Sequence, residues 1–262
     1  MMRWIGLTLI GIVAYLGFLV AHLPAAAAYG WVEDQLPARA YGLDGTIWDG
    51  RAAAIVDGPR RVDDVAWRIR PWSLLTGTLS TSLEAHIPDG RISGRFDIGI
   101  NNTLRVRDLR LNAPVDTLLG WAGRGAMTST AAGRGEVLLR SAYVDGPRLM
   151  SADGIINWNN AAITFGGEIP LGNMALRLQP ADQGIRGELV TQGGVMDISG
   201  TMQLDPSGTF QIRGRIAARD PDNAQAQRLI SMLQLANPDG VTEVTITGNL
   251  DGSGMRVRQR SG

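Results

Sequence analysis

The dipeptide Asp-Gly begins at positions 44, 49, 57, 89, 145, 153, 239 and 251, and many of the segments between these pairs alternate apolar and polar residues. Alternation with a period of two puts successive side chains on opposite faces of a strand. Asp-Gly supplies the backbone conformation that a two-residue hairpin turn needs. Together they constrain most of the chain to a run of strands joined by tight turns.

The clearest case lies near the C-terminus. Met196, Ile198, Met202 and Leu204 alternate with Asp197, Ser199, Thr201 and Gln203. Asp205, Pro206, Ser207 and Gly208 turn the chain, and Phe210, Ile212 and Ile216 then alternate with Gln211, Arg213 and Arg215. The same pattern predicts strands through Val65, Trp67 and Ile69; through Leu79, Leu83 and Ile87; and through Ile92, Phe96, Ile98 and Ile100. Met174, Leu176 and Leu178 make another, as do Val244, Ile246 and Leu250. In Leu104, Val106, Leu109 and Leu111 the phase slips across Arg107 and Asp108, which predicts a bulge. Gly94, Gly187, Gly200, Gly214 and Gly248 fall in phase with the apolar positions, where a missing side chain permits sharp curvature. The expected fold is mainly β: a curved, largely antiparallel meander sheet.

Two stretches depart from alternation. Asp220 and Pro221 supply an N-cap and a first-turn proline, and Leu229, Ile230, Met232 and Leu233 make an apolar stripe before Asn237 and Pro238. One amphipathic helix is therefore expected over about residues 221–236, directly after the hairpin and covering its apolar face, Ile212 included. Residues 120–135, rich in Gly, Ala and Thr, are expected to form a long loop or a domain joint.

Residues 4–23 carry no charge, and twenty helical residues span roughly 30 Å, the thickness of a bilayer's hydrocarbon core. Arg3 precedes this run, while Glu33 and Asp34 follow it, so the positive-inside rule keeps the N-terminus in the cytoplasm and sends the rest outward. Pro24 sits where such a helix would end. The small residues 25–28 would also suit a cleaved signal peptide, but the apolar run exceeds the usual core of about 7 to 15 residues, which favours a retained anchor. The expected organisation is a cytoplasmic N-terminus at 1–3, a transmembrane anchor at 4–23, a membrane-proximal linker at 24–40 and a β domain at 41–262.

Composition narrows the chemistry. The chain balances 25 basic against 25 acidic side chains with no basic stripe, which argues against nucleic acid as a partner. Cysteine is absent, so disulfides and thiolate chemistry are excluded. The two histidines are His22, inside the apolar run, and His86, placed on the polar face of a strand; neither a zinc site nor a serine triad can be assembled from them in the ordinary way. The neighbouring carboxylates Asp63 and Asp64 point to opposite faces if extended. No catalytic, cofactor or metal site is expected.

The segment from Tyr41 through Gly42, Leu43, Asp44, Gly45, Thr46, Ile47, Trp48, Asp49 and Gly50 to Ala52, followed by Val65 to Gly77 with Trp67, Pro71, Trp72, Leu74 and Leu75, resembles the type II secretion system protein N family. The order of a short cytoplasmic N-terminus, a span ending in Leu23, Pro24 and Ala25, and then the Gly-Thr-Ile-Trp-Asp-Gly motif is similar too. Gly154 to Trp158, Leu171 with Gly172, and the hairpin at 200–216 agree with the family's later half. The resemblance implies a non-enzymatic, single-pass protein of the bacterial inner membrane, with most of its chain in the periplasm. It implies an accessory or scaffold role in the export of folded proteins across the outer membrane. Implied partners are other inner-membrane subunits of the secretion system or its outer-membrane pore. The motif residues Gly45, Trp48, Gly50, Trp67, Pro71, Leu74, Leu75 and Gly77 are expected to be structural, the glycines admitting tight turns and the tryptophans filling space. A competing function class follows from the sheet itself: an amphipathic, strongly curved sheet can hold acyl chains in a groove, which would make lipid the ligand.

Overall fold

The computed structural model describes residues 15, 17–58, 60–121, 131–164, 167–232, 241–249, 254 and 256–261. Its strands are β1 (Arg39–Tyr41), β2 (Asp44–Gly45), β3 (Asp49–Asp57), β4 (Arg60–Arg70), β5 (Thr78–Ile87), β6 (Gly90–Gly99), β7 (Thr103–Pro114) and β8 (Ala131–Asp145). They continue with β9 (Arg148–Thr164), β10 (Glu168–Ala181), β11 (Gly184–Gln192), β12 (Met196–Leu204), β13 (Thr209–Ala218), β14 (Thr242–Asn249) and β15 (Arg256–Ser261). All belong to one antiparallel sheet, in which each strand from β3 onward pairs with the next, while β1 and β2 both lie on the outer side of β3. The sheet is an open meander, as the alternation and turn signals predict.

Turn chemistry explains part of this order. The Asp-Gly pairs at 57, 89 and 145 close the β3–β4, β5–β6 and β8–β9 hairpins. The pair at 153 does not. It lies inside β9, where Asp153 pairs with Arg140 across to β8 at 2.7 Å, because the apolar alternation through Ile156 and Trp158 outweighs the local turn preference. The pairs at 239 and 251 lie outside the described residues.

One face of the sheet is apolar across its whole width. Register sets Trp67 opposite Leu83, Phe96 opposite Val106, Leu109 opposite Leu139, Ile156 opposite Leu176 and Leu204 opposite Phe210. The other face carries Arg, Asp, Ser and Thr, with ion pairs such as Arg95 with Asp108 and Arg107 with Asp97. The expected slip near Asp108 is a bulge: this residue has φ of 51° and the register shifts beside it. Asp64 (φ 48°) and Asn160 (φ 49°) stand beside further shifts. At β10 the sheet bends. Cα atoms of β9 and β11 come within 8 Å across it, whereas strands two apart in a flat sheet lie about 9.5 Å apart.

Among the described residues, the helices α1 (Ala25–Gly30), α2 (Val115–Trp121) and α3 (Ala224–Met232) accompany the sheet. Helix α3 matches the expected amphipathic helix but starts three residues later. Asp220 folds back in a turn, its Oδ1 accepting the Asp222 N–H at 3.0 Å. The cap is Asn223, whose Oδ1 accepts the N–H groups of Gln225 and Ala226 at 2.9 and 3.0 Å. Residues 233–236 of the expected helix lie outside the described residues. Ala226, Leu229 and Ile230, spaced i, i+3 and i+4, are buried against Ala161, Ile169, Leu171, Val195 and Met196. Burying each large apolar side chain contributes about 1.5 to 3 kcal/mol.

The expected coverage of the β12–β13 hairpin is realised in half. The cluster under α3 takes in Met196, Ile198 and Ile216, whereas Met202, Leu204 and Phe210 join a second cluster with Val106, Ala142, Ala152, Leu178 and Ile185. Ile212 is half-buried and belongs to neither cluster. A nine-residue helix is about 13 Å long, too short to overlie the whole hairpin. Of the expected 120–135 loop, residues 115–121 enter it as α2, residues 131–135 already belong to β8, and 122–130 lie outside the described residues. Strand β7 pairs with β8 across it.

Candidate functional site

The motif residues converge where the chain enters the sheet. Gly45 has φ of 82°, and the chain turns so that Thr46 N–H donates to Asp49 O at 2.9 Å. The Thr46 Oγ1 accepts the N–H groups of Trp48 and Asp49 at 3.3 and 3.1 Å. A Cβ on Gly45 would lie 2.5 Å from Asp49 O, and one on Gly50 would lie 2.6 Å from both Thr46 O and the Trp67 ring. Glycine is required at 45 by backbone conformation and at 50 by the ring standing over it.

Two tryptophans fasten this turn in opposite directions. Trp67, opposite Gly50 in the β3–β4 register, donates its indole N–H to Ile47 O at 3.0 Å and so ties the turn to the sheet. Trp48 donates its indole N–H to Val20 O at 2.8 Å, and Ile47 N–H donates to Leu23 O at 3.1 Å. Pro24 and Thr46 form a bridge beside them. The segment that precedes the sheet is thus bonded to the same turn, and residues 17–21 of that segment are helical. Arg68 pairs with Asp49 at 2.9 Å and spans the turn from outside. An apolar cleft of about 590 Å³ lies alongside, walled by Ala25, Tyr29, Leu36, Leu43, Ile47 and Trp67 among others. The linker forms one wall of it, with Ala40 N–H donating to the Tyr29 hydroxyl at 3.0 Å.

The remaining motif residues lie at the same end of the sheet. Trp48 O accepts the Ile69 N–H at 2.6 Å, and two residues later Pro71 opens a 3-10 turn, Pro71–Thr76. Gly77 closes it with φ of 68°, its N–H donating to Leu74 O at 3.0 Å. Pro71 and Gly77 are the structural punctuation of that turn. Leu75, by contrast, is 81% exposed and Leu74 46%, so their side chains fill no core.

Elsewhere several polar groups pair with each other. His86 Nε2 accepts from Arg91 at 3.0 Å, while its buried Nδ1 has no hydrogen-bond partner among the described residues, Asp64 Oδ2 standing 3.7 Å away. Asp63 pairs with Arg61 at 2.8 Å. Among the described residues no group of three His, Asp or Glu side chains is arranged to hold a metal ion. The bonds from Trp48 and Ile47 back to Val20 and Leu23 had no signature in the sequence, since each uses a carbonyl that any residue would supply. What this end of the molecule offers is a rigid connection between an N-terminal segment and a sheet.

The expected transmembrane segment falls mostly outside the described residues; of it, 15 and 17–21 are helical. Among the described residues no helix is long and apolar enough to cross a membrane.

Comparison with known proteins agrees with the motif. The profile of the family described as Type II secretion system (T2SS), protein N matches residues 38–245. A protein of Aeromonas hydrophila named Type II secretion system protein N is 28% identical over 212 residues, covering 78% of this chain and 82% of the relative. One of the same name from Vibrio cholerae serotype O1 is 25% identical over 254 residues, covering 92% and 95%. No solved structure matches the chain.

Proposed function

The chain belongs to the type II secretion system protein N family, and we propose from that premise that it is a non-enzymatic accessory or scaffold, anchored in the inner membrane through residues 4–23 and holding its sheet in the periplasm. There it contacts other subunits of the secretion system while folded proteins are exported. The observation that supports this reading best is the bonded turn at 45–50. It ties the end of a charge-free segment to the sheet with Trp48 and Ile47, a connection worth building when the sheet must be held at a set height and angle above a membrane.

The test uses the full chain in its own bacterium with a tag at the N-terminus. We expect detergent, but not alkaline carbonate, to release it from membranes, and protease added to spheroplasts to digest the sheet while sparing the tag. Loss of the gene should reduce secretion through the system, and cross-linking should recover its other subunits. Release by carbonate, or digestion of the tag, overturns the anchored topology. Stoichiometric phospholipid copurifying without any secretion subunit would instead favour the lipid-groove reading.

A further inference from the structure

The hairpin loops at the anchor end of the sheet differ in character according to their distance from the anchor. The β4–β5 connection exposes Trp72 (80%), Leu74 (46%) and Leu75 (81%), and the β6–β7 turn exposes Ile100 (92%). These two loops form one tip, because Ile100 N–H donates to Gly77 O at 3.1 Å and the Ile100 side chain packs over Gly77. The sequence pattern had placed Ile100 on the apolar face of β6; it stands instead beyond the strand, in solvent. At the same end but farther along the strand order, the turns carry Asp145 and Gly146, then Asp182 and Gln183, then Asp205, Pro206, Ser207 and Gly208. Among the described hairpin loops at this end, the large exposed apolar side chains are in the two nearest the bonded turn.

From this we infer that the tip formed by Trp72, Leu75 and Ile100 is a second membrane contact, which dips into the headgroup region of the bilayer beside the anchor and fixes the tilt of the sheet. The inference rests on the anchored reading proposed above. A lipid surface fits better than a protein partner for three reasons. The tip follows the end of β4, where Ile69 N–H donates to Trp48 O, and the same Trp48 bonds Val20 in a segment whose residues Phe18, Leu19 and Val20 are themselves exposed apolar side chains at 61, 47 and 52%. Trp with aliphatic neighbours is the composition that settles at a membrane interface. Arg70, exposed at the base of the tip, suits lipid phosphates. The bonded turn fixes the sheet to the N-terminal segment; a second contact at the tip fixes the tilt of that joined unit against the membrane plane.

The absence of cysteine makes the test direct. Single substitutions Leu75→Cys and Ile100→Cys, with Ser207→Cys and Asp182→Cys at the far turns and Phe18→Cys in the anchor, are spin-labelled in the full chain. The protein is reconstituted in vesicles of phosphatidylethanolamine and phosphatidylglycerol. All five side chains except Phe18 lie on turns outside the apolar clusters, so folding is not at issue. Expected is several-fold greater collision with oxygen than with a water-soluble nickel chelate at 75 and 100, and the reverse at 182 and 207. Labels at 75 and 100 that favour the nickel chelate while the label at 18 favours oxygen overturn the tip contact and leave the anchor standing. Labels at 75 and 100 shielded from both reagents overturn it in favour of a protein interface. If the label at 18 favours the nickel chelate while those at 75 and 100 favour oxygen, the tip contact holds and the anchored reading falls.

Discussion

Around residues 45–50 the chain is fastened by directional hydrogen bonds that the Thr46 hydroxyl accepts and the Trp48 and Trp67 indoles donate, whereas over β9–β13 it is fastened by the apolar stripe of α3. The first region contains a small cluster in which Ala52, Val65 and Ala85 are the buried members. The second contains Met196 at 0% and Ile169 at 1% exposure. A hydrogen bond sets position but adds only about 0.5 to 1.5 kcal/mol net, while each buried Leu or Ile adds more. The comparison teaches that stability is concentrated at one end of the sheet and positional accuracy at the other.

The sharpest way to break this division is to charge the helix seat. Ile230→Asp places a carboxylate among Ile169, Leu171 and Met196 with no partner, a change expected to cost more than about 4 kcal/mol. The variant should fail to accumulate as folded protein, measured by circular dichroism and yield. Normal melting would show that α3 is not what holds the second region.

Gly50→Leu comes next. The new side chain must displace the Trp67 ring and the Thr46 carbonyl, an overpacking cost of roughly 1 to 3 kcal/mol. Amide exchange should quicken over residues 41–56 and stay unchanged over 196–218. Uniform quickening would mean that the two regions open as one unit.

A matched pair of tryptophans then sharpens the contrast. Trp158 donates to Ala132 O at 2.9 Å and packs on the cluster beneath α3, so Trp158→Phe should lower stability by roughly 1 to 3 kcal/mol through lost packing and a lost bond. Trp48→Phe should cost about 1 kcal/mol or less and show instead as faster limited proteolysis within 24–38. Equal melting shifts for the two would erase the distinction.

The smallest effect is at the β12–β13 turn, which lies outside the apolar seat of α3. The Asp205 carboxyl titrates below its ordinary 3.8, chiefly because the Ser207 hydroxyl donates to it, helped by the backbone N–H groups of Ser207, Gly208 and Thr209 and opposed by slight desolvation. A group whose pKa falls on folding stabilises the fold fully above its unfolded value and loses that contribution as pH drops through the folded value. Acidification below 3.8 should therefore loosen the β12–β13 turn in wild type. Asp205→Asn should remove that step of the pH profile, read by amide exchange at Gly208 and Thr209, while leaving melting at neutral pH nearly unchanged because the group is exposed.

Much of the strand order was legible because alternation is a local signal: β4, β5, β10, β12 and β13 all contain the residues expected of them, β6 contains all but Ile100, and the bulge at Asp108 showed as a slip of phase. The N-terminal boundary of α3 was misplaced because Asp220 with Pro221 and Asn223 alone offer equally good caps, and only the seat under Ala226 chooses between them. At the bonded turn, Gly45, Trp48, Gly50 and Trp67 could be singled out as a group, yet their roles could not. Nothing local says that Gly50 makes room for a ring from the next strand.

By itself, the sequence determined that the chain would form antiparallel strands with one apolar face, since side-chain alternation and turn residues act over a few positions. Tertiary structure alone decided which part of that face α3 would cover and where Asp-Gly at 153 would stay extended. It alone brought Val20 and Leu23 to Trp48 and Ile47, and Ile100 to Gly77. Those outcomes depend on contacts between residues about 13 to 70 positions apart in this chain. Their energy comes from geometry that no short stretch of sequence encodes.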